Sequence, residues 1–494
     1  MLTHTFFWIG ISLYVLLVLF IAIIVTLENR QPSRTIAWVV ALVCLPVLGL
    51  IFFFFFGQGI KRERKINRGR YNQLRKRILG VIDKNVSPEL LPERYKPLIR
   101  MCDEAFWSTP SPGNSVTFLD NGHDFFVSLL CSISKARHFI YIESFIFNED
   151  GIGCLIRDAL IDKAGEGVEI RVIYDDVGCW RVKNSFFEKM ETAGIKVANF
   201  LPVRFPSMTG KENYRNHHKI CVIDGMVAYI GGMNIAMRYV SSRMQHWRDL
   251  QIRLYGDAAN QLRFIFLADW LFATGGDRSQ QGIMERMTQE SIYIGTPTQT
   301  EDYALAEKNN VNDVLVQILL SSPVTQYPEM MYSLTWIIQN ARKYIYLQTP
   351  YFMPTEPVLQ ALQTAALSGV DVRIMIPTKI DARMFRWAND SYVSDLLGAR
   401  IKVYHYTAGF LHSKMMVCDD DWGTVGSANI DFRSFENNFE ANAFIYNKEC
   451  AARLKSIFLE DIKHASEIKL SQWNRRGFMR KFLESCTRLF SPLF

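Results

Sequence analysis

The 494-residue sequence contains no Cys-x-x-Cys pair, and its nine cysteines show no zinc-like spacing. A zinc module and a thioredoxin-type redox pair are thereby excluded, and buried reduced thiols are expected. No carboxylate cluster has metal-ligand character, so neither a metal nor another cofactor is expected. A basic track with stacking aromatics cannot be localised, which argues against nucleic acid as a partner. Charge is missing over two long stretches: Thr5 to Leu27 and Thr35 to Gly57 each run 23 residues without a charged side chain. What is present is apolar material, 49% of all residues, enough for two domains of ordinary size plus extensions.

At 1.5 Å per residue, either charge-free stretch would cross a ~30 Å hydrocarbon core as a helix. A cleaved signal peptide would have a shorter apolar run and a basic leader, and here a second span follows at once. Pro46 falls mid-span, where a kink is tolerated. The turn Glu28 to Arg34 holds Arg30 and Arg34, whereas Lys61, Arg62, Arg64, Lys65, Arg68, Arg70, Arg75, Lys76 and Arg77 crowd the exit of the second stretch. The positive-inside rule then places everything after Gly57, and both chain ends, in the cytoplasm, with the protein multi-pass in the cell membrane. The basic run would also attract anionic headgroups, at about 1 kcal/mol for each residue near the surface. At the far end, Phe478, Met479, Phe482, Leu483, Cys486, Leu489 and Phe490 recur at helical spacing among basic residues. This suits either an interfacial helix or one packed on the protein's own core.

Between these ends the chain repeats itself. His-x-Lys-x-x-x-x-Asp occurs as His217, Lys219, Asp224 and again as His412, Lys414, Asp419. Seven residues past each Asp comes a glycine-rich step ending in Asn: Gly231, Gly232, Asn234 and Gly426, Ser427, Asn429. His and Lys at alternate strand positions share a face, which suits a site gripping phosphate. Flanking segments also recur in order, such as Ala136 to Ile142 against Ala341 to Leu347, and Gly167 to Val172 against Gly369 to Ile374. The chain therefore holds a duplicated domain, and two half-sites imply one composite site. Strand-like segments (Phe139 to Ile142, Glu169 to Tyr174, Lys196 to Phe200, Lys219 to Ile223) alternate with helix-length ones, as α/β units do, and the second half repeats the order.

The doubled pattern resembles the HKD signature of the phospholipase D superfamily. The resemblance implies an α/β fold of duplicated phospholipase D-like domains packed with pseudo-two-fold symmetry, here preceded by two transmembrane helices. The expected divisions are 1–57 for those helices, 58–110 for a basic linker, 111–276 and 327–465 for the two domains, 277–326 for the segment joining them, and 466–494 for a basic amphipathic tail. One neutral His can attack phosphorus while a second, protonated, donates to the leaving oxygen. Spacing does not choose between them; the resemblance implies His217 as nucleophile and His412 as general acid and base. Lys219 and Lys414 would stabilise the non-bridging oxygens, with Asn234 and Asn429 as further donors. Asp249 and Glu440 are implied as carboxylates that orient the histidines. Asp224 and Asp419 are expected to hold strand-to-turn geometry, and His218 to pack on the opposite strand face.

Landmarks outside the motifs (Ala37-Trp38, Leu45-Pro46, Thr349 to Pro354, Leu489 to Leu493) are similar to those of bacterial cardiolipin synthases. That family implies phospholipid biosynthesis: transfer of a phosphatidyl group between two phosphatidylglycerols, giving cardiolipin and glycerol through a phosphohistidine. A hydrolytic phospholipase D and a phosphatidylserine synthase remain alternatives with another acceptor. A non-catalytic lipid- or nucleic-acid-binding protein is disfavoured by intact His and Lys in both copies.

Overall fold

Apolar runs bounded by turn signals form strands, and the periodic stretches between them form helices. The computed structural model describes residues 2–27, 68–80, 86–203, 213–240, 247–275 and 310–493, with positions 39, 40, 42, 49 and 82. These fall into two units, Met1–Gly69 with Arg204–Asn213, and Arg70–Val203 with Tyr214–Phe494.

In the first unit, Leu2–Leu27 is one helix of 26 residues without a charged side chain. The Tyr14 hydroxyl donates to the Leu42 carbonyl at 2.6 Å, and Val18 and Leu42 are buried together. Most of the second apolar stretch, 35–57, lies outside the described residues. Counting only described residues, no helix is long and apolar enough to cross a membrane.

The second unit is organised by a sixteen-stranded sheet. Its first half comprises β1 (Pro110–Leu119), β2 (Phe139–Ser144), β3 (Glu169–Asp175), β4 (Lys196–Phe200), β5 (Lys219–Ile223), β6 (Val227–Gly231) and β7 (Gln251–Tyr255). The second comprises β8 (Asn310–Ser321), β9 (Tyr344–Gln348), β10 (Asp371–Pro377), β11 (Lys402–Tyr406), β12 (Met415–Cys418), β13 (Trp422–Gly426) and β14 (Asn438–Tyr446), and the short strands Ala465–Glu467, on β11, and Arg215–Asn216, on β14, complete the sixteen. Outward from the centre, β1-β7-β6-β5-β2-β3-β4 is matched by β8-β14-β13-β12-β9-β10-β11, and β1 pairs antiparallel with β8. Each half has its own hydrophobic core. Three of the covering helices start at side-chain caps: Asn121 accepts from the Asp124 N–H, Asp150 from Gly153, and Asn447 from Glu449 and Cys450.

Two expected boundaries change. The segment 277–326 does more than join the halves, because β8 lies within it and is the counterpart of β1 at the sheet centre. Val314 to Ser321 is buried on both faces, so it lacks the alternation that marks a half-buried strand. The segment 58–110 likewise contains the helices Arg68–Leu79 and Lys96–Phe106. Arg75, part of the basic run, is only 1% exposed and pairs with Glu329 at 2.9 Å, so it holds the fold and faces no lipid.

Candidate active site

Each motif strand is led in by a short parallel bridge to the other half. Arg215–Asn216 pairs with Asn438–Phe439, and the His217 N–H donates to the Phe439 carbonyl at 2.9 Å. Phe410–Leu411 pairs with Trp247–Arg248, and the His412 N–H donates to the Arg248 carbonyl at 2.7 Å. The next residue on each opposing segment is an acid. Both Glu440 carboxylate oxygens lie 3.0 Å from His217 Nδ1, and Asp249 Oδ2 lies 2.6 Å from His412 Nδ1. With Nδ1–H donating to the carboxylate, Nε2 carries the free lone pair of each ring. The orientation is crossed: each carboxylate holds the histidine of the other half, which sequence correspondence between Asp249 and Glu440 does not reveal.

The glycine-rich steps make room for these acids. A Cβ on Gly232 would sit 2.1 Å from Asp249 Oδ1. The second copy has Ser427 there instead, and its hydroxyl donates to Glu440 Oε2 at 2.5 Å. Asn438 Nδ2 donates to Oε1 at 3.2 Å.

Lys219 Nζ donates to the His217 carbonyl at 2.7 Å. Lys414 Nζ donates to the His412 carbonyl and lies 2.9 Å from His412 Nδ1. Burial dominates the electrostatics. It lowers Lys219 to about 7 and Lys414 to about 8, against the opposing pull of Glu440 and Asp249. It lowers His217 to about 4, with the two lysines assisting. His412 is held well below its ordinary value by burial, Lys414 and Lys219. Burial raises Asp249 to about 6, whereas for Glu440 the burial effect is outweighed by His217 and Lys219, and its pKa is lowered. The site thus carries less positive charge than its four bases would suggest.

Asp224 and Asp419 sit in tight hairpin turns at positive φ, 50° and 56°. The Asp224 carboxylate accepts the N–H groups of Arg137, His138 and Phe139 at 2.8–2.9 Å. Asp419 accepts those of Arg342, Lys343 and Tyr344 at 2.7–3.0 Å, and also pairs with Arg94. Both acids are thereby occupied in tying the hairpin to the start of the neighbouring strand. Asn234 is occupied too, accepting from the Ile146 N–H at 3.1 Å and donating to the Tyr239 hydroxyl at 2.9 Å. Asn429 keeps a buried Oδ1 that finds no hydrogen-bond partner among the described residues.

His218 is buried, but in an ionic cluster and not among apolar side chains. Its Nδ1 lies 3.1 Å from Asp269 and 3.5 Å from Glu143. Burial opposes its charge, yet Glu143 and Asp269 prevail and push it up to about 10. Among the described residues these three form the one group with metal-ligand spacing; an imidazolium already supplies the positive charge there.

Aromatic rings crowd both motif histidines. Trp247, Phe410 and Tyr239 have ring centroids 4.9, 5.6 and 6.1 Å from that of His412. Phe145 is 5.1 Å from His217. Sequence reasoning missed these rings and Ser427. Period-two alternation was the available signal, since Trp247 is two residues before Asp249 and Phe410 two before His412.

A family model described as "Cardiolipin synthase, PLD-like domain" matches residues 129–270 and 334–462. Another, "Phospholipase_D-nuclease N-terminal", matches residues 6–58. The chain is 36% identical over 485 residues to the cardiolipin synthase of Geobacillus kaustophilus, covering 96% of this chain and 92% of that protein. It is 36% identical over 496 residues to the major cardiolipin synthase ClsA of Bacillus subtilis, covering 98% of each. Among solved structures it is similar to the phosphatidylserine synthase of Haemophilus influenzae, with a TM-score of 0.60 and 14% identity over 81% of this chain and 100% of that one, a likeness of fold.

Proposed function

This chain belongs to the cardiolipin synthase family of phospholipase D-like proteins, and from that membership we propose that it joins two phosphatidylglycerols into cardiolipin and releases glycerol. The observation that carries the chemistry is the crossed pair of imidazoles, each with Nδ1 held by a buried carboxylate of the other half. His217, neutral at pH 7, attacks phosphorus through Nε2 as the bond to the departing glycerol oxygen breaks, and His412 protonates that oxygen. The phosphatidyl group is then held on His217. The terminal hydroxyl of a second phosphatidylglycerol, losing its proton to His412, attacks and frees His217. The anionic phosphodiester supplies the negative charge that raises the depressed pKa values of Lys219, Lys414 and His412 toward the working pH. Both exchanged bonds are phosphodiesters, so no nucleotide is consumed. Asn429, with its unpartnered amide oxygen, is a better candidate for a substrate contact than Asn234.

The two charge-free stretches of sequence, 5–27 and 35–57, anchor the chain at the membrane in this reading, with the catalytic unit on the cytoplasmic side. The uncharged first helix, the exposure of Phe6, Trp8, Leu13, Leu16 and Phe20, and the basic run after residue 60 support this reading. The test is the full-length protein in bilayers of pure phosphatidylglycerol, with products weighed by mass spectrometry. Cardiolipin and glycerol in equal amounts are expected. Phosphatidic acid alone would replace this reading with a hydrolytic phospholipase D.

A further inference from the structure

The helix Phe478–Leu489 is built inside out. A helix on a globular protein normally turns its apolar stripe to the core. Here the inward positions, four, seven and eleven residues beyond Arg480, are Glu484, Thr487 and Ser491, all buried. Arg480 donates to Asp390 at 2.9 Å and to Glu484 at 3.0 Å, Arg476 pairs with Glu484 at 3.0 Å, and Arg488 with Asp395 at 2.7 Å. The pairs with Asp390 and Asp395 fix the helix to the helix Arg383–Gly398, which carries both acids, while Glu484 is neutralised within the C-terminal segment. The apolar side chains point away: Phe478 is 81% exposed, Met479 65%, Phe482 52% and Leu489 79%. Phe478 and Phe482 stack on each other.

We propose that this helix is a docking element that seats the catalytic unit on an anionic lipid surface, its apolar face in the acyl boundary and its flanking cations at the headgroups. The proposal rests on the phosphatidyl-transfer reading in one respect, that the substrates are lipids drawn from a bilayer. Charge favours this occupant. Between Leu470 and Phe494 the single acidic residue is Glu484, which is buried, while Arg475 and Lys481 are exposed beside the apolar face. A second copy of the chain is disfavoured, because a self-complementary contact would bring these cations against their own counterparts. The position also serves the site. In the supporting helix, Phe385 packs on Tyr351 at 5.1 Å, Tyr351 on Phe410 at 6.4 Å, and Phe410 on His412 at 5.6 Å. A chain of aromatic contacts thus runs from the supporting helix to the His412 imidazole.

The test uses the full-length protein with a fluorescent amino acid incorporated in place of Phe482, and separately in place of Lys343. Lys343 is exposed just before β9, at the end of that strand remote from Tyr351. Vesicles of phosphatidylglycerol and phosphatidylcholine carry nitroxide quenchers on their acyl chains. Quenching severalfold stronger at position 482 than at 343 is expected. Equal quenching at the two positions overturns the proposal, as does self-association that shields position 482 without vesicles. Cardiolipin formation by the same labelled proteins is followed separately. Selective quenching without cardiolipin keeps the docking helix and overturns the transfer reading; cardiolipin without selective quenching does the reverse.

Discussion

Glu440 places both carboxylate oxygens 3.0 Å from Nδ1 of His217, although the two residues are 223 positions apart and belong to different repeats. Asp249 stands in the same relation to His412 across 163 positions. Neither half therefore holds a complete His–acid pair, and only the packing of the two halves brings each pair together.

The crossing fixes what each acid should do. Glu440→Gln keeps the shape of the site but stops fixing the His217 tautomer, and turnover should fall on the order of 10³-fold or more. Asp249→Asn should cost a similar factor through His412. The two losses differ in kind: with Asp249→Asn a phosphatidyl adduct should still build up slowly on His217, whereas Glu440→Gln should give none. Mass analysis of quenched enzyme reads this directly, and the opposite pattern would exchange the roles of the two histidines.

The acid-holding turns should matter for stability more than for chemistry. Asp224→Ala or Asp419→Ala takes the acceptor from three backbone N–H groups, of which one is buried and two are part-buried, a loss of about 1–3 kcal/mol. A lower midpoint in thermal or denaturant unfolding is expected, with KM close to normal in molecules that remain folded. Burial alone would raise the Asp419 pKa, but the Tyr344 N–H, Arg94 and two further N–H groups bring it below the usual value. Its contribution is complete above the unfolded carboxylate range and fades as pH falls through the lowered native value.

The depressed lysines set an alkaline limit. Lys219 at about 7 and Lys414 at about 8 are charged below those values and neutral above them. His217, at about 4, is a free nucleophile over the same range and is protonated only in stronger acid. A profile of kcat/KM should therefore fall below about pH 4, begin its alkaline fall where His412, the general acid, loses its proton, and fall further as pH rises through 7 to 8. A value that keeps climbing to pH 9 would show that the ammonium charges are not used.

Gly232 and Ser427 occupy matching places and should respond differently. Gly232→Ala drives a Cβ into Asp249 Oδ1, displacing the acid that holds His412, so kcat should drop more than about 100-fold. Ser427→Ala removes one hydrogen bond to Glu440, which retains others, so a loss of about tenfold in kcat is expected.

Much of the second unit was legible in the sequence because its local and global signals agree. Strands such as Lys219–Ile223 and Tyr344–Gln348 are short, largely apolar runs bounded by turn residues, and the doubled motif announced one composite site. What escaped has physical causes. β8 contains neither the motif nor any of the segments seen to recur beside it, so nothing in the sequence marks it as the counterpart of β1. Arg75 looks like surface charge until Glu329, 254 residues away, is seen beside it. The crossed pairing of acids and histidines depends on the bridges of Arg215–Asn216 and Trp247–Arg248 to the other half, which no spacing encodes. His218 reads as a packing residue until its two carboxylates, from β2 and the helix Asp257–Ala273, are brought around it.

Selectivity for a lipid acceptor over water should reside in the aromatic ring cluster around His412. Water stands at ~55 M, whereas the acceptor is confined to the bilayer, so transfer prevails only if water is kept from the phosphatidyl group on His217 while the acceptor is positioned. Trp247 and Phe410 pack edge to face, with centroids 4.5 Å apart, and both lie against the imidazole expected to deprotonate the acceptor. Trp247→Ala or Phe410→Ala opens that wall without removing a charged group. Total cleavage of phosphatidylglycerol should fall only severalfold, while phosphatidic acid rises relative to cardiolipin by about tenfold, equivalent to about 1.4 kcal/mol in the partition between acceptors. Product ratios at matched extents of conversion measure this partition directly. An unchanged ratio in both variants would move the exclusion of water away from these rings and toward the membrane surface itself.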